Sequence, residues 1–145
     1  MKKSKTILLF TTLITLLTLT TISGCKKDGS DTDLTTGIVG HYTGGSGSSA
    51  VDIIVTKIDN NTISITIDAV VDNVTFASAE MSSSTAFTLN NTSVISGGGT
   101  VRMEYTNGSG SYSANNIVVM MHRKSVDIPS GTTNYEDDRT YTGSK

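Results

Sequence analysis

The sequence predicts an all-β domain, a small antiparallel meander β-barrel of about eight strands. Three observations lead there. Short runs alternate apolar and polar side chains with a period of two. Asn, Gly, Asp and Ser separate those runs at close, regular spacing. After residue 30 no apolar stripe recurs at the i, i+3, i+4, i+7 spacing of a helix. A β-sandwich is the alternative arrangement of the same strands.

The chain begins differently. Lys2, Lys3 and Lys5 make a positive start, and Ile7 to Ile22 is an uncharged run of Ile, Leu, Phe and Thr. Ser23 and Gly24 then lead into Cys25, the one cysteine in 145 residues. That order is the layout of a secretory signal peptide over residues 1–24. A spanning helix, the competing reading, needs about 20 predominantly apolar residues. This run has 16 positions, of which six are Thr, so it is short and weakly apolar for a span.

Ile22-Ser23-Gly24-Cys25 resembles the lipobox of bacterial lipoproteins: an aliphatic residue, two small residues, then Cys. In that family the thiol receives a diacylglycerol, the chain is cut just before the Cys, and the new amino terminus is acylated. The resemblance implies that Cys25 is the lipidation site and that the membrane is a partner through its lipid. It also implies a place in the cell envelope, at the outer membrane. One acyl chain anchors marginally and stable anchoring takes at least two signals, a requirement that triacylation meets. With its only cysteine acylated, the chain forms no disulfide, and the fold must stand on packing. Residues 25–36, "CKKDGSDTDLTT", are polar and read as a flexible tether ahead of a barrel over residues 37–145. Within them Lys26-Lys27-Asp28 resembles the Lys/Asp surface-export signals of some outer-membrane lipoproteins, which implies surface display.

From residue 25 onward the chain has 121 residues, the size of one domain. All 13 acidic residues lie there with 8 of the 11 basic ones, a balance of −5. That balance argues against nucleic acid as a partner and against simple docking on anionic lipid, both of which call for basic clusters.

The strands follow in order. "GIVGHYTGG" (37–45) supplies the first, and "VDIIVTKI" (51–58), "TISITIDAVV" (62–71), "NVTFASAEM" (73–81) and "TAFTL" (85–89) follow. "TVRMEYT" (100–106), "SGSYSA" (109–114), "NIVVMMHRK" (116–124) and "DRTYTGSK" (138–145) complete the set. β-branched and aromatic residues fill them, as strands prefer. Alternation assigns an inner face: Tyr42, Ile53, Val55, Ile63, Ile65, Ile67, Val74, Phe76, Phe87, Val101, Met103, Tyr105, Val119 and Met121. "IVVMM" (117–121) is apolar on both faces. It is either a strand covered on both sides or one whose outer face meets another segment or another molecule.

Gly40-His41-Tyr42 in the first strand and Tyr141-Thr142-Gly143 in the last resemble the opening and closing strands of calycin-like (lipocalin-like) domains. So does "NGSGSYSANNIVVMMHR" between them. The resemblance covers residues 36–145 and implies a closed barrel that holds a small ligand. The chain has no Trp and so lacks the Gly-x-Trp signature of true lipocalins. An eight-stranded interior is either filled by side chains or holds one small ligand. If it holds a ligand, the contacts come from Tyr42, Ile53, Val55, Ile65, Phe76, Phe87, Met103, Tyr105 and Met121.

No motif names a reaction or a cofactor. His41 and His122 are the two histidines, and no short ligand spacing links either to Asp52 or Glu104. Asp127, Glu136, Asp137 and Asp138 make 125–138 an acidic, solvated loop whose spacing does not match a calcium loop. Gly97-Gly98-Gly99 precedes a strand, whereas a phosphate loop precedes a helix. The sequence therefore points to a non-catalytic, lipid-anchored envelope protein that binds a small apolar or amphipathic ligand in or at the mouth of the barrel. The alternative is a filled barrel that docks onto another envelope protein through an outer face, with Val118 and Met120 as contacts.

Overall fold

The structure is a computed structural model, and residues 32–145 are described. The proposed signal peptide, the lipobox, Cys25 and Lys26-Lys27-Asp28 lie outside the described residues. The domain is all-β. Its strands are β1 (Gly40–Gly44), β2 (Val51–Lys57), β3 (Thr62–Ala69), β4 (Asn73–Ser83), β5 (Ala86–Leu89), β6 (Thr92–Ser96), β7 (Val101–Ser113), β8 (Asn116–Asp127) and β9 (Thr133–Ser144).

Hydrogen bonding runs β5-β4-β3-β2-β1-β9-β8-β7, and a β5–β7 pairing closes the ring, giving an eight-stranded antiparallel barrel. β5 and β6 lie one after the other along the same edge of β7. β5 faces Ser109–Ser111 and β6 faces Val101–Tyr105, so they act as one barrel strand interrupted at Asn90-Asn91. The sequence shows no period-two run over 92–96 long enough to announce β6. The runs 100–106 and 109–114, read as two strands, are the single β7. Its register shifts between Thr106 and Ser109, where Asn107 takes a positive φ of 52° that Asn tolerates.

Alternation identifies the core. Of the fourteen residues assigned inward, twelve are buried; Val101 and Met103 are half-buried because they line an open cleft described below. Ile117, Val119 and Met121 point in, while Met120 is 46 % exposed, so the outer face of β8 is uncovered. Phe87 and Leu89 lie across Gly110 and Gly108 on the inner face of β7. A Cβ on Gly110 would sit 2.1 Å from the Phe87 ring and 2.6 Å from the Val118 carbonyl oxygen.

Strand direction alternates around the ring, so each end has its own loops. The upper end carries the loops at 45–50, 70–72, 97–100 and 128–132. At the lower end lie the other turns and both ends of the described chain. There the residues before β1 form a plug. Ile38 is buried and its carbonyl accepts from the Tyr42 hydroxyl. The Leu34 N–H donates to the Asn60 carbonyl at 2.8 Å, and Lys57 Nζ pairs with Asp33 at 2.5 Å. Lys145 Nζ donates to the carbonyls of Gly37 (2.5 Å) and Val39 (3.1 Å) and lies 5.0 Å from the Tyr42 ring centre. Leu34–Gly37, part of which the composition places in the tether, thus packs on the barrel, with Thr35 buried.

Gly110→Ala is expected to cost about 3 kcal/mol or more, since ring and backbone both obstruct the added methyl. Urea unfolding of the variant against the parent measures it.

Candidate functional site

The upper end holds what the alternation did not announce. On β8 the inward parity of Ile117, Val119 and Met121 continues through Arg123 and Ser125. On β9 it runs through Asp137, Arg139 and Tyr141. The inner face therefore turns from apolar to charged as it rises. Asp72, in the β3–β4 turn, tucks into the same layer; Asp72 and Arg123 are each 3 % exposed.

Isolated charges at that depth would be costly, and here each is paired. Arg123 Nη1 donates to both oxygens of Asp72, at 2.9 and 3.0 Å. Arg123 Nε and Nη2 donate to the two oxygens of Asp137, at 3.0 and 3.1 Å. The Tyr105 hydroxyl donates to Asp72 at 2.9 Å, and the Tyr141 hydroxyl donates to its other oxygen. The Tyr135 ring lies 5.0 Å from the Arg123 guanidinium. Burial works against the Arg123 charge, but the bonds to Asp137 and Asp72 outweigh it and hold its pKa above the ordinary value. Burial raises Tyr105 and Tyr141 above the usual tyrosine range, helped by the negative Asp72. The hydrogen bond from Arg123 holds Asp137 below the usual carboxylate range. The segment read as a solvated acidic loop is thus largely strand, and Asp137 points inward as the partner of two arginines.

Above this charged layer an open cleft of about 520 Å³ lies between β4 and β6. It exists because β4 pairs with β5 only over Ala79–Ser83, and β6 pairs with β7 alone. The start of β4, paired with β3 on one side, and β6, paired with β7 on one side, make no strand pairing with each other. Val71, Val94, Val101, Met103, Tyr105 and Tyr135 give the cleft apolar walls; Asp72, Asn73, Ser96, Ser125 and Asn134 give its polar lining. The Tyr135 hydroxyl meets the Met103 sulfur at 3.6 Å along the rim. Exposed apolar side chains gather at the same end: Val70, Val71, Ile95, Ile128 and Tyr135.

The residues expected to contact a ligand divide. Tyr42, Ile53, Val55, Ile65, Phe76 and Phe87 pack against one another in the core. Tyr105 and Met121 belong to the same core, Tyr105 also forming part of the mouth cleft, which Met103 lines as a half-buried residue. The histidines sit apart on the outer surface, His41 with Asp52 (3.3 Å) and His122 with Asp138 (2.9 Å). Among the described residues no group of three or more His, Cys, Asp or Glu side chains is placed to hold a metal ion. The parity of Arg123 with Val119 and Met121 was the signal in the sequence that could have found the charged layer. Asp72 gave none, because it sits in a turn.

No protein-family model matches the chain, and no curated protein or solved structure matches it.

Two expectations follow. Arg123→Met strands a buried carboxylate and is expected to cost about 3–5 kcal/mol, whereas adding Asp72→Asn should recover part of that loss. Urea unfolding of both single variants and the double variant gives the coupling. The pH dependence has two limbs. The folded pKa of Asp137 is depressed, so its contribution is present above the ordinary carboxylate range and is lost as pH falls through the folded value. The folded pKa values of Tyr105 and Tyr141 are raised, so stability declines as pH climbs past about 10, where the unfolded chain gives up protons first. Tyr141→Phe should flatten the alkaline limb and Asp137→Asn the acid limb, in melting temperatures measured across pH.

Proposed function

We propose that the protein is a non-catalytic lipoprotein of the cell envelope, anchored at the outer membrane through Cys25. Its calycin-like barrel holds a small apolar or amphipathic ligand at the mouth. The observation that carries this reading is the 520 Å³ cleft, walled by Val71, Val94, Met103 and Tyr135 at the end opposite the one where the chain enters the barrel. Ligand sites are typically concave, mostly apolar and oriented by a few polar groups, and this cleft has that make-up. The charges beneath it are consumed by one another, which favours an uncharged ligand body over an ion at that spot. The lipobox and the signal layout support the anchor.

A second reading has its own observation. Met120 and Val118 point out from β8, with Met120 46 % exposed, and could dock a partner protein.

One experiment separates them. The full chain is released from its membrane with a neutral detergent, and the co-purifying small molecules and proteins are identified by mass spectrometry. A bound small apolar molecule is expected, lost in Val71→Asp and kept in Met120→Asp; both side chains are exposed, so folding is spared. A protein lost in Met120→Asp and kept in Val71→Asp would support docking instead. Cys25→Ala is expected to leave the chain unacylated and outside the membrane fraction.

A further inference from the structure

Ser125 is the polar group that the charged layer leaves over. It follows Arg123 on the inner face of β8 and is 2 % exposed. Cross-strand register sets it between Met103 of β7 and Tyr135 of β9, and all three border the mouth cleft. Among the described residues nothing hydrogen-bonds the Ser125 hydroxyl. The fully enclosed side-chain atom without a partner among those residues is Arg139 Nε, so the Ser125 oxygen is not sealed in and opens on the cleft that the residue lines. A hydroxyl left unmet at this depth is costly, so it calls for a partner from outside the chain.

The other polar groups of the cleft are engaged or lie in solvent. Asp72 Oδ1 accepts from Tyr105 and Arg123, and Oδ2 from Arg123 and Tyr141. Asn73 Nδ2 donates to Asp68 at 3.1 Å, and Ser96 and Asn134 are exposed. Arg123 directs Nε, Nη1 and Nη2 at carboxylates. A carboxylate entering beside Ser125 would meet no free cation, and an ammonium no free carboxylate. Either would exchange its hydration for one neutral hydroxyl, a costly exchange. An alcohol both donates and accepts, so it matches Ser125 one for one. The Tyr135 hydroxyl reaches the Met103 sulfur at 3.6 Å, and a thioether is a weak acceptor, so that contact yields to an entering group at little cost.

We propose that the mouth cleft takes an uncharged aliphatic alcohol, its hydroxyl paired with Ser125 and its chain along Val71, Val94, Val101 and Met103. This assignment rests on the mouth being the ligand site, and it adds the chemical class of the head group and the residue that selects it. An alcohol is thereby separated from the fatty acid and the amine of the same chain length.

The test uses the full chain, with carbon-13 methionine methyl groups, in neutral detergent micelles. The Met103 and Met120 signals are assigned with Met103→Leu and Met120→Leu. 1-Pentanol and sodium pentanoate are titrated separately at neutral pH and constant ionic strength, against the free aqueous concentration of each. Pentanol is expected to move the Met103 signal saturably and leave Met120, on the outer face, still. Pentanoate, ionised at that pH, should bind at least about tenfold more weakly. Ser125→Ala should weaken pentanol about fivefold, the worth of one neutral hydrogen bond, and should melt no lower than the parent because it deletes an unmet hydroxyl. No saturable response at Met103 to either probe, or an equal response at Met120, would remove the mouth ligand and this assignment with it. Saturable binding with pentanoate as tight as pentanol, or with pentanol unweakened by Ser125→Ala, would overturn the alcohol assignment and leave the mouth site standing. A lower melting temperature in Ser125→Ala would show the hydroxyl already engaged by the protein and would overturn it as well.

Discussion

Asp72 places a negative charge where only 3 % of its surface meets water, and donors from three strands compensate it. Tyr105 comes from β7, Arg123 from β8 and Tyr141 from β9. Asp72 itself hangs from the β3–β4 turn, on the other side of the ring, so one carboxylate ties the two walls of the barrel together at the upper end. At Arg123–Asp137 two nitrogens meet two oxygens side-on, while at Asp72 the one Nη1 donates to both oxygens. The fork at Asp137 fixes orientation as well as distance. A buried pair of this kind adds little net stability over an apolar filling, but its rupture is expensive. Its structural value is the specification of which turn sits where.

That specification explains why the two ends of the barrel differ. The lower end is sealed by apolar packing, with Ile38 under Tyr42 and Lys145 over the plug. The upper end is sealed one layer down by the charged group, so the apolar core stops short of the rim. Above the seal, the upper ends of β4, β6, β7 and β9 and the 70–72 turn form the walls. Two gaps in strand pairing open there, one between β4 and β6 and one between β9 and the loop at 45–50. Both clefts are thus by-products of short strands, β5–β6 on one side and β1 on the other.

How much of this the sequence disclosed follows from what alternation can carry. Period two reports which side of a sheet a residue faces, and for Ile53, Ile65 and Phe76 facing inward meant burial. Parity by itself does not say how high along the barrel a residue sits. Val101 and Met103 share parity with buried Tyr105, yet they stand at the rim and border solvent. Polarity misled in the opposite direction. Arg123, Asp137 and Arg139 look like surface residues because charges usually are, and only their parity with Val119 and Tyr141 betrays an inward aim. The β7 bulge hid a different fact. Asn107-Gly108 resembles a hairpin turn between two strands, but Gly108 and Gly110 are small so that Leu89 and Phe87 can cross them, and the strand runs on.

The position of the clefts relative to the chain's point of entry is forced by topology. With eight barrel strands alternating in direction, a chain that enters at the lower end also finishes there. The loops at 45–50, 70–72, 97–100 and 128–132 must then share the upper end. Any site built from those loops faces away from the point of entry. For a domain held by a proposed lipid on Cys25, this directs the apolar rim of Val70, Val71, Ile95 and Tyr135 away from the end that the tether joins. An apolar rim so placed is free to receive a ligand. The charges one layer below that rim are consumed by one another, which leaves the mouth cleft with the apolar walls that the proposed ligand calls for.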